Sequence, residues 1–552
     1  MNAFLFFIFL SLLHPNDINP QTIEAGRRGD LYRVWVYFDK KDFERIVDLD
    51  SASIERRIKH GIVGPTKYDY LINQTYIDRI KRLKVEIKNQ SRWLNAVSVI
   101  ADIEKINLIK KLPFVKKIEP VYKHTKKKSI QAIGDRNDQS RDIEYGSSYD
   151  QIEQINCRIP HIAGYFGQGV RVLYLDTGYE LGHNAYDSLN LIAQYDFING
   201  DENTANETDQ EITDNQDDHG TICLSVMAGY DPGNLIGPSF KSEYLLAKTE
   251  VMADEIYQEV DNYVAAIEWG EALGADVTCA SLGYYDWYEY DDLDGNTAAT
   301  TIAVDIASSL GVLCVNSAGN EGDDPWYYIC TPADADSIIS VGAVNRDGTI
   351  ANFSSRGPTY DGRIKPEVCA RGVSTYCVRS NTENIYRTAS GTSFSAPLAA
   401  GAAAVIMSAN PNWTNMQVRE AMMMTASRSN TPDNVYGYGI LNTWAAINYQ
   451  FTAETEDEDD LLLPFSVSVN KAYPNPFNPS TSITIKSLSS IQFILVGIYN
   501  LNGQLLETLY YDSLNVGTLN LMWNADRYSS GIYILGVFWP DGKNAQKITL
   551  IK

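Results

Sequence analysis

Only six of the 552 residues are histidine, and none of the seven cysteines (Cys157, Cys223, Cys279, Cys314, Cys330, Cys369, Cys377) stands in a C-x-x-C pair. That spacing argues against a zinc site. The odd count leaves at least one thiol unpaired within the chain, and disulfides cannot be assigned from it; Cys279 and Cys314, in apolar strand-like runs, read as buried fillers. Long apolar stretches are also missing. Ala3 to Leu13 is too short to span a bilayer and has the length of a signal peptide, within a leader of residues 1–25, although a basic segment before it and a small-x-small cleavage site are both absent. Positive charge is scarce overall: the net charge of −24 argues against nucleic acid as the main partner.

What is present is length and a lopsided charge. A chain of 552 residues with 44% hydrophobic content is too long for one core and divides into about three or four domains. Through Lys128 there are 25 Lys/Arg against 15 Asp/Glu, so a basic leading piece faces a strongly acidic remainder. Such an asymmetry fits a piece that docks on the later domain and is then discarded. Within residues 26–123, strand-like runs at Leu31 to Phe38 and Ala96 to Ala101 alternate with helical patterns near Tyr76 to Ile87 and Ile103 to Leu112, followed by Pro113 to Pro120. This order and the closing LPFVKKIEPV resemble the inhibitory propeptides of subtilisin-like proteases; an unrelated small α+β binding module is the alternative. Residues 124–144 are polar and read as an exposed linker.

Residues 145–450 alternate apolar strand runs (Val170 to Leu175, Tyr244 to Ala247, Asp276 to Ala280, Val312 to Val315, Ile338 to Gly342) with helical patterns at Tyr257 to Leu273 and Thr297 to Leu310. That alternation predicts an α/β fold with a parallel sheet covered by helices. Four local patterns in this block carry chemistry. Asp176 ends a buried strand in Asp-Thr-Gly, and no second Asp-Thr-Gly or Asp-Ser-Gly supplies the paired carboxylate an aspartic protease needs. His219 opens a small-residue helix after Asp217-Asp218, where the neighbouring acids leave a metal cluster as a second reading. Asn320 lies in a glycine-rich turn after a strand, which is also an ordinary Asn turn. Ser393, in Gly391-Thr-Ser-Phe-Ser-Ala-Pro397, sits at a helix mouth beside unpaired backbone N–H groups; taken alone it is equally an N-cap.

Asp176, His219, Asn320 and Ser393 in that order, with Ala280-Ser-Leu-Gly283, Phe353-Ser-Ser-Arg-Gly-Pro358 and Gly437-Tyr-Gly-Ile-Leu-Asn442 around them, resemble the subtilisin family of serine proteases, in which the triad runs Asp, His, Ser. The resemblance implies a secreted serine endopeptidase with Asp176, His219 and Ser393 as catalytic residues, Asn320 in the oxyanion hole, and Ser281, Leu282, Gly283 and Gly319 lining the substrate. The alternative from another class is an inert subtilisin fold serving as a surface adhesin. The uncharged walls implied for the pocket, with the stretch near Cys330, point to an apolar or aromatic P1 residue, although Asp323 and Asp324 lie close by in sequence. No metal or cofactor is required; the acidic turns Asp214 to Asp217 and Asp291 to Gly295 are candidates for structural calcium or plain solvated loops, and neither matches the twelve-residue calcium loop.

Glu454 to Asp460 is a charge run within an acidic linker, 451–470. Residues 471–552 then alternate as strands (Ser482 to Lys486, Phe493 to Tyr499, Leu519 to Trp523, Gly531 to Leu535) with Asn502-Gly503 as a hairpin turn, which predicts a small β-sandwich. The phrases YPNPFNPST, IYNLNGQ, WNAD, SGIYIL and ITLIK resemble the type A sorting domain of the type IX secretion system. That resemblance implies secretion machinery that reads the tail and a secreted or cell-surface location; the subtilisin and propeptide resemblances imply the other partners, protein and peptide substrates and the chain's own propeptide as an intramolecular inhibitor. A substrate-binding sandwich is the alternative for the tail.

Overall fold

The computed structural model describes residues 18–124, 144–251, 258–451, 467–470, 472–487, 491–500, 505–539 and 542–552. The stretch Ala3 to Leu13, nearly all of the 124–144 linker, the run Glu454 to Asp460 and the Asn502-Gly503 turn lie outside the described residues. The chain divides into two units, Met1–Gln450 and Phe451–Lys552.

At the start of the first unit, strands β1 (Leu31–Phe38), β2 (Glu86–Ser91), β3 (Ala96–Ala101) and β4 (Val115–Pro120) form an antiparallel sheet in the order β2-β3-β1-β4. β-Branched and aromatic side chains such as Val34, Trp35, Val36, Val97 and Val99 suit both a pleated backbone and full burial. Between β1 and β2 the chain adds a hairpin, Lys41–Ile46 with Tyr70–Ile72, then helix α1 (Ser51–Lys59) within it and helix α2 (Gln74–Lys81) after it. With helix α3 (Ile103–Lys110), α2 packs Ile77, Ile80, Ile106 and Ile109 into the sheet's core. The helical pattern read through Ile87 in fact stops at Arg82: Lys84 adopts a left-handed φ of 55°, which a right-handed helix cannot carry, and Glu86 begins β2. A last short strand, β5 (Lys123–His124), precedes the linker.

The body of this unit is a seven-stranded parallel sheet. Its strands are β6 (Arg171–Asp176), β7 (Asn190–Asp196), β8 (Glu243–Lys248), β10 (Val277–Ala280), β11 (Leu313–Ser317), β12 (Ile339–Val344) and β13 (Val368–Arg371), in the order β7-β8-β6-β10-β11-β12-β13; β9 (Gln258–Glu259) lies apart from it. Alternate residues of β6 serve opposite cores. Val172 and Tyr174 face helices α4 (Asp218–Ala228) and α7 (Thr392–Ala409), while Leu173 and Leu175 face α5 (Val260–Ala272) and α6 (Ala299–Ser309). A helix-covered parallel sheet is what the sequence pattern predicts; the two edge strands, β7 and β13, escape that reading because one is half-exposed and the other is a short Val-Cys-Ala-Arg run that ends on a charge. α7 runs buried through one core, and its glycine makes the fit: a Cβ on Gly401 would meet Met227 Cγ of α4 at 3.1 Å.

The second unit holds a three-stranded sheet (Val467–Val469, Ser480–Ser487, Gly517–Asn524) and a four-stranded antiparallel sheet (Leu505–Leu514, Ile491–Tyr499, Gly531–Trp539, Gly542–Leu550). Their inner faces share one core around Trp523, Ile483, Ile498 and Leu535, and Trp523 Nε1 donates across it to Glu507 at 3.1 Å. This is a β-sandwich.

Candidate active site

Asp176 is the last residue of β6, at the carboxyl end of the sheet where α/β folds expose functional groups. Its carboxylate is fully buried and accepts two hydrogen bonds on Oδ1, from the Thr177 N–H at 2.7 Å and from His219 Nδ1 at 2.6 Å. His219 is the second residue of α4, and the glycine that follows lets the helix start so close to the strand end. A Cβ on Gly220 would run into the Gly178 carbonyl and lie 3.0 Å from the Asp176 Cβ. One turn on, the Cys223 thiol sits 3.8 Å from His219 Nε2.

Ser393 is the second residue of α7, after Gly391 at φ 151°. Within this first turn, Thr392 N–H is taken by Asn320 and Phe394 N–H by the Gly391 carbonyl at 3.1 Å; among the described hydrogen bonds the Ser393 N–H between them has no acceptor. Asn320 Oδ1 accepts both the Thr392 N–H (2.8 Å) and the Thr392 hydroxyl (3.0 Å). Two donors can only be met by the amide oxygen, so the Asn320 NH2 is turned the other way, and Nδ2 lies 3.6 Å from where a Gly391 Cβ would stand. Gly319 N–H donates to the Thr392 hydroxyl at 3.3 Å, tying the Asn320 turn to the mouth of α7.

The site therefore comes as two preassembled halves. Asp176 and His219 are joined directly. Ser393 Oγ, however, donates to the Ser281 carbonyl at 3.3 Å, and Ser281 Oγ returns a bond to the Ser393 carbonyl at 2.9 Å; no described hydrogen bond joins Ser393 to His219. Ser281, Leu282 and Gly283 continue from β10, and Tyr174 from β6 contacts Ser281 Oγ at 3.0 Å. Cys330 fills the space between the glycine walls: a Cβ on Gly283 would meet Cys330 Cβ at 2.9 Å, and one on Gly319 would meet its sulfur at 2.7 Å.

The N-terminal sheet lies against this same domain. β5 pairs antiparallel with β9, His124 opposite Gln258 and Lys123 opposite Glu259. Just before it, Tyr122 packs on Tyr288 with ring centres 4.7 Å apart. Along α5 three acids at Asp261, Glu268 and Glu271 share one helix face. Arg33 grips Asp261 (2.7 Å), Arg92 reaches Glu268 (3.1 Å) and Glu271 (3.3 Å), Arg57 pairs with Glu271 at 2.8 Å, and Arg56 also bonds Glu271. All of these groups are buried.

Among the described residues all seven cysteines are buried and no disulfide joins any two of them. Two groups of side chains lie close enough to share an ion: Asp176, His219 and Cys223, and Asp196, Asp201 and Glu207. In the second, Lys248 Nζ already lies 2.8 Å from Asp196 and 2.5 Å from Glu211. In the turns singled out by sequence, Asp217 accepts from the Asn206 side chain at 2.9 Å, and Asp294 accepts from the backbone of Asn296 and Thr297 at 2.7 and 2.9 Å.

Comparison with known proteins bears on the whole arrangement. The Subtilase family profile matches residues 167–439, a profile for the Peptidase S8 propeptide domain of Bacteroidota matches 33–137, and one for the Secretion system C-terminal sorting domain matches 471–551. Subtilisin E of Bacillus subtilis is 30% identical over 367 residues, which cover 65% of this chain and 83% of that protein. The chain belongs to the subtilase family. Subtilisin DY of Bacillus licheniformis is 34% identical over 309 residues, covering 55% of this chain and 98% of its own, and serine protease AprX of Bacillus subtilis is 30% identical over 310 residues, covering 50% and 65%. This subtilase is a subtilisin-like serine endopeptidase made with an S8 propeptide and a type IX sorting domain, which implies secretion. Several residues shaping its site carry no sequence signal of their own. Thr392, which orients Asn320, reads as a plain spacer in Gly-Thr-Ser, and Gln216, whose side chain donates to the Thr177 carbonyl at 2.6 Å and to the Glu250 carbonyl, reads as a loop residue.

Proposed function

We propose that this subtilase hydrolyses peptide bonds of proteins through Asp176, His219 and Ser393, with Asn320 and the Ser393 N–H as the oxyanion hole. The 2.6 Å contact between Asp176 and His219 Nδ1 carries the reading, because it leaves Nε2 as the basic nitrogen of the ring. In the reaction Ser393 Oγ leaves the Ser281 carbonyl, attacks the substrate carbonyl carbon, and gives its proton to His219 Nε2. Asp176 holds the tautomer and stabilises the imidazolium, which then protonates the leaving amine. Water repeats the sequence to release the acyl group. The developing oxyanion takes hydrogen bonds from the Ser393 N–H, at the positive end of α7, and from Asn320 Nδ2. That no described hydrogen bond joins Ser393 to His219 is compatible with this course, since such bonds tighten when substrate arrives. No step passes through a metal or cofactor, and calcium in the acidic turns would serve structure alone.

In this reading, extended substrate lies between β9 and Ser281 to Gly283, and residues 26–123 inhibit by sending β5 into that place until the enzyme cuts its own linker. Residues 471–552 hand the chain to the secretion machinery, for release or display at the cell surface. A fluorophosphonate probe tests the centre of the proposal: stoichiometric labelling that disappears in Ser393→Ala is expected, and an unlabelled, processed wild-type protein would refute it.

A further inference from the structure

β10 and β11 lie side by side in the parallel sheet, and their last paired residues are Ala280 and Asn316. Beyond them the two strands part, one running on as Ser281 to Gly283 and the other as Ala318 to Asn320. A third segment, Ile329 to Thr331, enters the wedge and is tied to both sides: the Cys330 N–H donates to the Ala318 carbonyl at 3.0 Å, and Tyr284 and Thr331 exchange paired backbone bonds, both 3.0 Å. Sheets of this kind open their crevices at such a place, outside the carboxyl ends of the strands. The proposed reacting groups stand beside it, since Ser393 Oγ donates to the Ser281 carbonyl at 3.3 Å and Asn320 follows Gly319 directly.

Both sides of the wedge present a glycine, and the same side chain stands where each glycine lacks one. A Cβ on Gly283 would lie 2.9 Å from Cys330 Cβ and 3.7 Å from its sulfur; one on Gly319 would lie 2.7 Å from that sulfur and 2.7 Å from Ser355 Oγ. The Cys330 thiol therefore already occupies the room that the two glycines leave. Ser355 closes the Gly319 side and is itself pinned, because its N–H donates to the Gly319 carbonyl at 3.0 Å and its hydroxyl accepts from the Glu321 N–H at 2.9 Å. In the catalytic course the acyl carbon bonds to Ser393 Oγ while its oxygen faces Asn320, so the side chain of P1, the residue that carries this carbonyl, starts between Ser281 to Gly283 and Ala318 to Gly319. It meets Cys330 within a few atoms. Uncharged walls alone would admit an apolar or aromatic side chain of any size, whereas a wedge already packed with a buried thiol on a backbone bonded to both walls admits only the shortest, since extra methylenes in a filled site force strain.

We propose that Cys330 is a specificity-determining residue that closes the P1 pocket, so that the enzyme cuts after glycine, alanine or serine in preference to leucine or phenylalanine. The inference rests on the catalytic reading given above and adds to it a substrate class. Side-chain volume, not charge, makes the selection.

The test uses the full-length protein after its own processing and a set of peptides alike except at P1, which carries Gly, Ala, Ser, Leu or Phe. The expected wild-type profile favours Ala over both Leu and Phe by about tenfold or more in kcat/KM. Cys330→Gly empties the wedge and should raise the Phe to Ala ratio by about tenfold or more, with Cys330→Ala between it and wild type. Cys330→Val fills the wedge further and should move the preference from Ala toward Gly. A role only in holding the two walls together would lower all peptides alike and leave their ratios where they were, which counts against the proposal. A wild-type profile led by Leu or Phe overturns it whatever the variants do, as does an unchanged Phe to Ala ratio in a Cys330→Gly protein that still labels with fluorophosphonate. Should Cys330→Gly fail to fold, Cys330→Ala gives the second reading, and a ratio unmoved from wild type in that variant is equally fatal. Failure of the catalytic reading would look different, as absence of labelling and of all turnover.

Discussion

The side-chain oxygen of Asn320 accepts two hydrogen bonds from Thr392, one from its N–H at 2.8 Å and one from its hydroxyl at 3.0 Å. Thr392 therefore decides which end of the Asn320 amide is left free to point away from it, one residue before the proposed nucleophile. Replacing Asn320 by Ala should lower kcat by about 10²–10³-fold with little change in KM, a magnitude known from the oxyanion-hole asparagine of subtilisin rather than calculated from this geometry. Thr392→Val keeps the backbone donor and loses only the hydroxyl, so it should cost about tenfold, the order of a single neutral hydrogen bond. Steady-state kinetics on one peptide substrate decides both; unchanged kcat in Asn320→Ala would place that residue outside the oxyanion hole.

Glu271 carries the heaviest charge burden of the interface between the propeptide and α5, because Arg56, Arg57 and Arg92 all converge on it. Removing its charge leaves the buried Arg56 without a carboxylate partner, while Arg57 keeps Asp69 and Arg92 keeps Glu268, and breaking a buried pair of this kind costs about 3–5 kcal/mol. Glu271→Gln should weaken the hold of the cleaved propeptide by about 10²–10³-fold, so that activity appears soon after processing rather than after a lag. Size-exclusion chromatography of the processed protein, with activity followed in parallel, reads this directly. Co-elution of the propeptide with the variant to the same extent as wild type would show that the pairs do not set latency.

The proposed catalytic residues stand out in the sequence because each sits in a local pattern with its own physical reason. Asp176 ends a buried, mainly apolar strand, His219 precedes Gly220, which the close helix start requires, and Ser393 stands at the mouth of a helix of small residues. Long-range relationships are not legible in this way. Helix α1 buries Arg56, Arg57 and Ser53 and exposes Ile54 and Ile58 at 46% and 56%. That inverts the apolar periodicity from which helices are read, and only the acids of α5, more than 200 residues later, make sense of it. β2 likewise escapes because Glu-Ile-Lys-Asn-Gln-Ser is a largely polar strand. Glu250 gives no local sign of its position; its place depends on Gln216 and Tyr284, which chain order separates from it by more than thirty residues.

Asp334 offers a pH test of the fold away from the reacting groups. Its carboxylate accepts from the Thr301 hydroxyl at 2.6 Å and the Gly295 N–H at 3.1 Å, and burial raises its pKa to about 6. The folded state therefore binds a proton at Asp334 more tightly than the unfolded chain, whose carboxyl titrates near about 4. Stability from this group is fully present below pH of about 4 and is lost as pH rises to about 6, amounting to about 1–3 kcal/mol. Asp334→Asn removes the titration, and its amide can donate to the Thr301 hydroxyl while accepting from Gly295. In a Ser393→Ala background, which prevents autolysis, the Asn variant should melt higher than its parent at pH 8 and equally at pH 4. A difference of the same size at both values would assign the effect to packing rather than to the proton.

The pairing of β5 with β9 holds the chain just ahead of the linker against what is proposed above as one wall of the cleft, which leads to the expectation that the enzyme cuts its own linker. Three observations converge. The preceding sheet is clasped by buried ion pairs to α5, the piece through Lys128 carries 25 basic against 15 acidic residues, and the residues after His124 are polar. A substrate held in this way reacts at high effective molarity, so the rate of processing should not depend on protein concentration. Ser393→Ala should accumulate with residues 26–128 attached, while wild type acquires a new N-terminus within residues 124–144. Both forms are to be expressed in a protease-deficient host and followed by intact mass and N-terminal sequencing over a tenfold range of concentration. Equal processing of Ser393→Ala would assign the cut to another protease, and a rate that scales with concentration would make it intermolecular. In either case the triad would still be judged on the labelling of Ser393, because a cut made in trans or by a foreign enzyme says nothing about the geometry that joins Asp176 to His219.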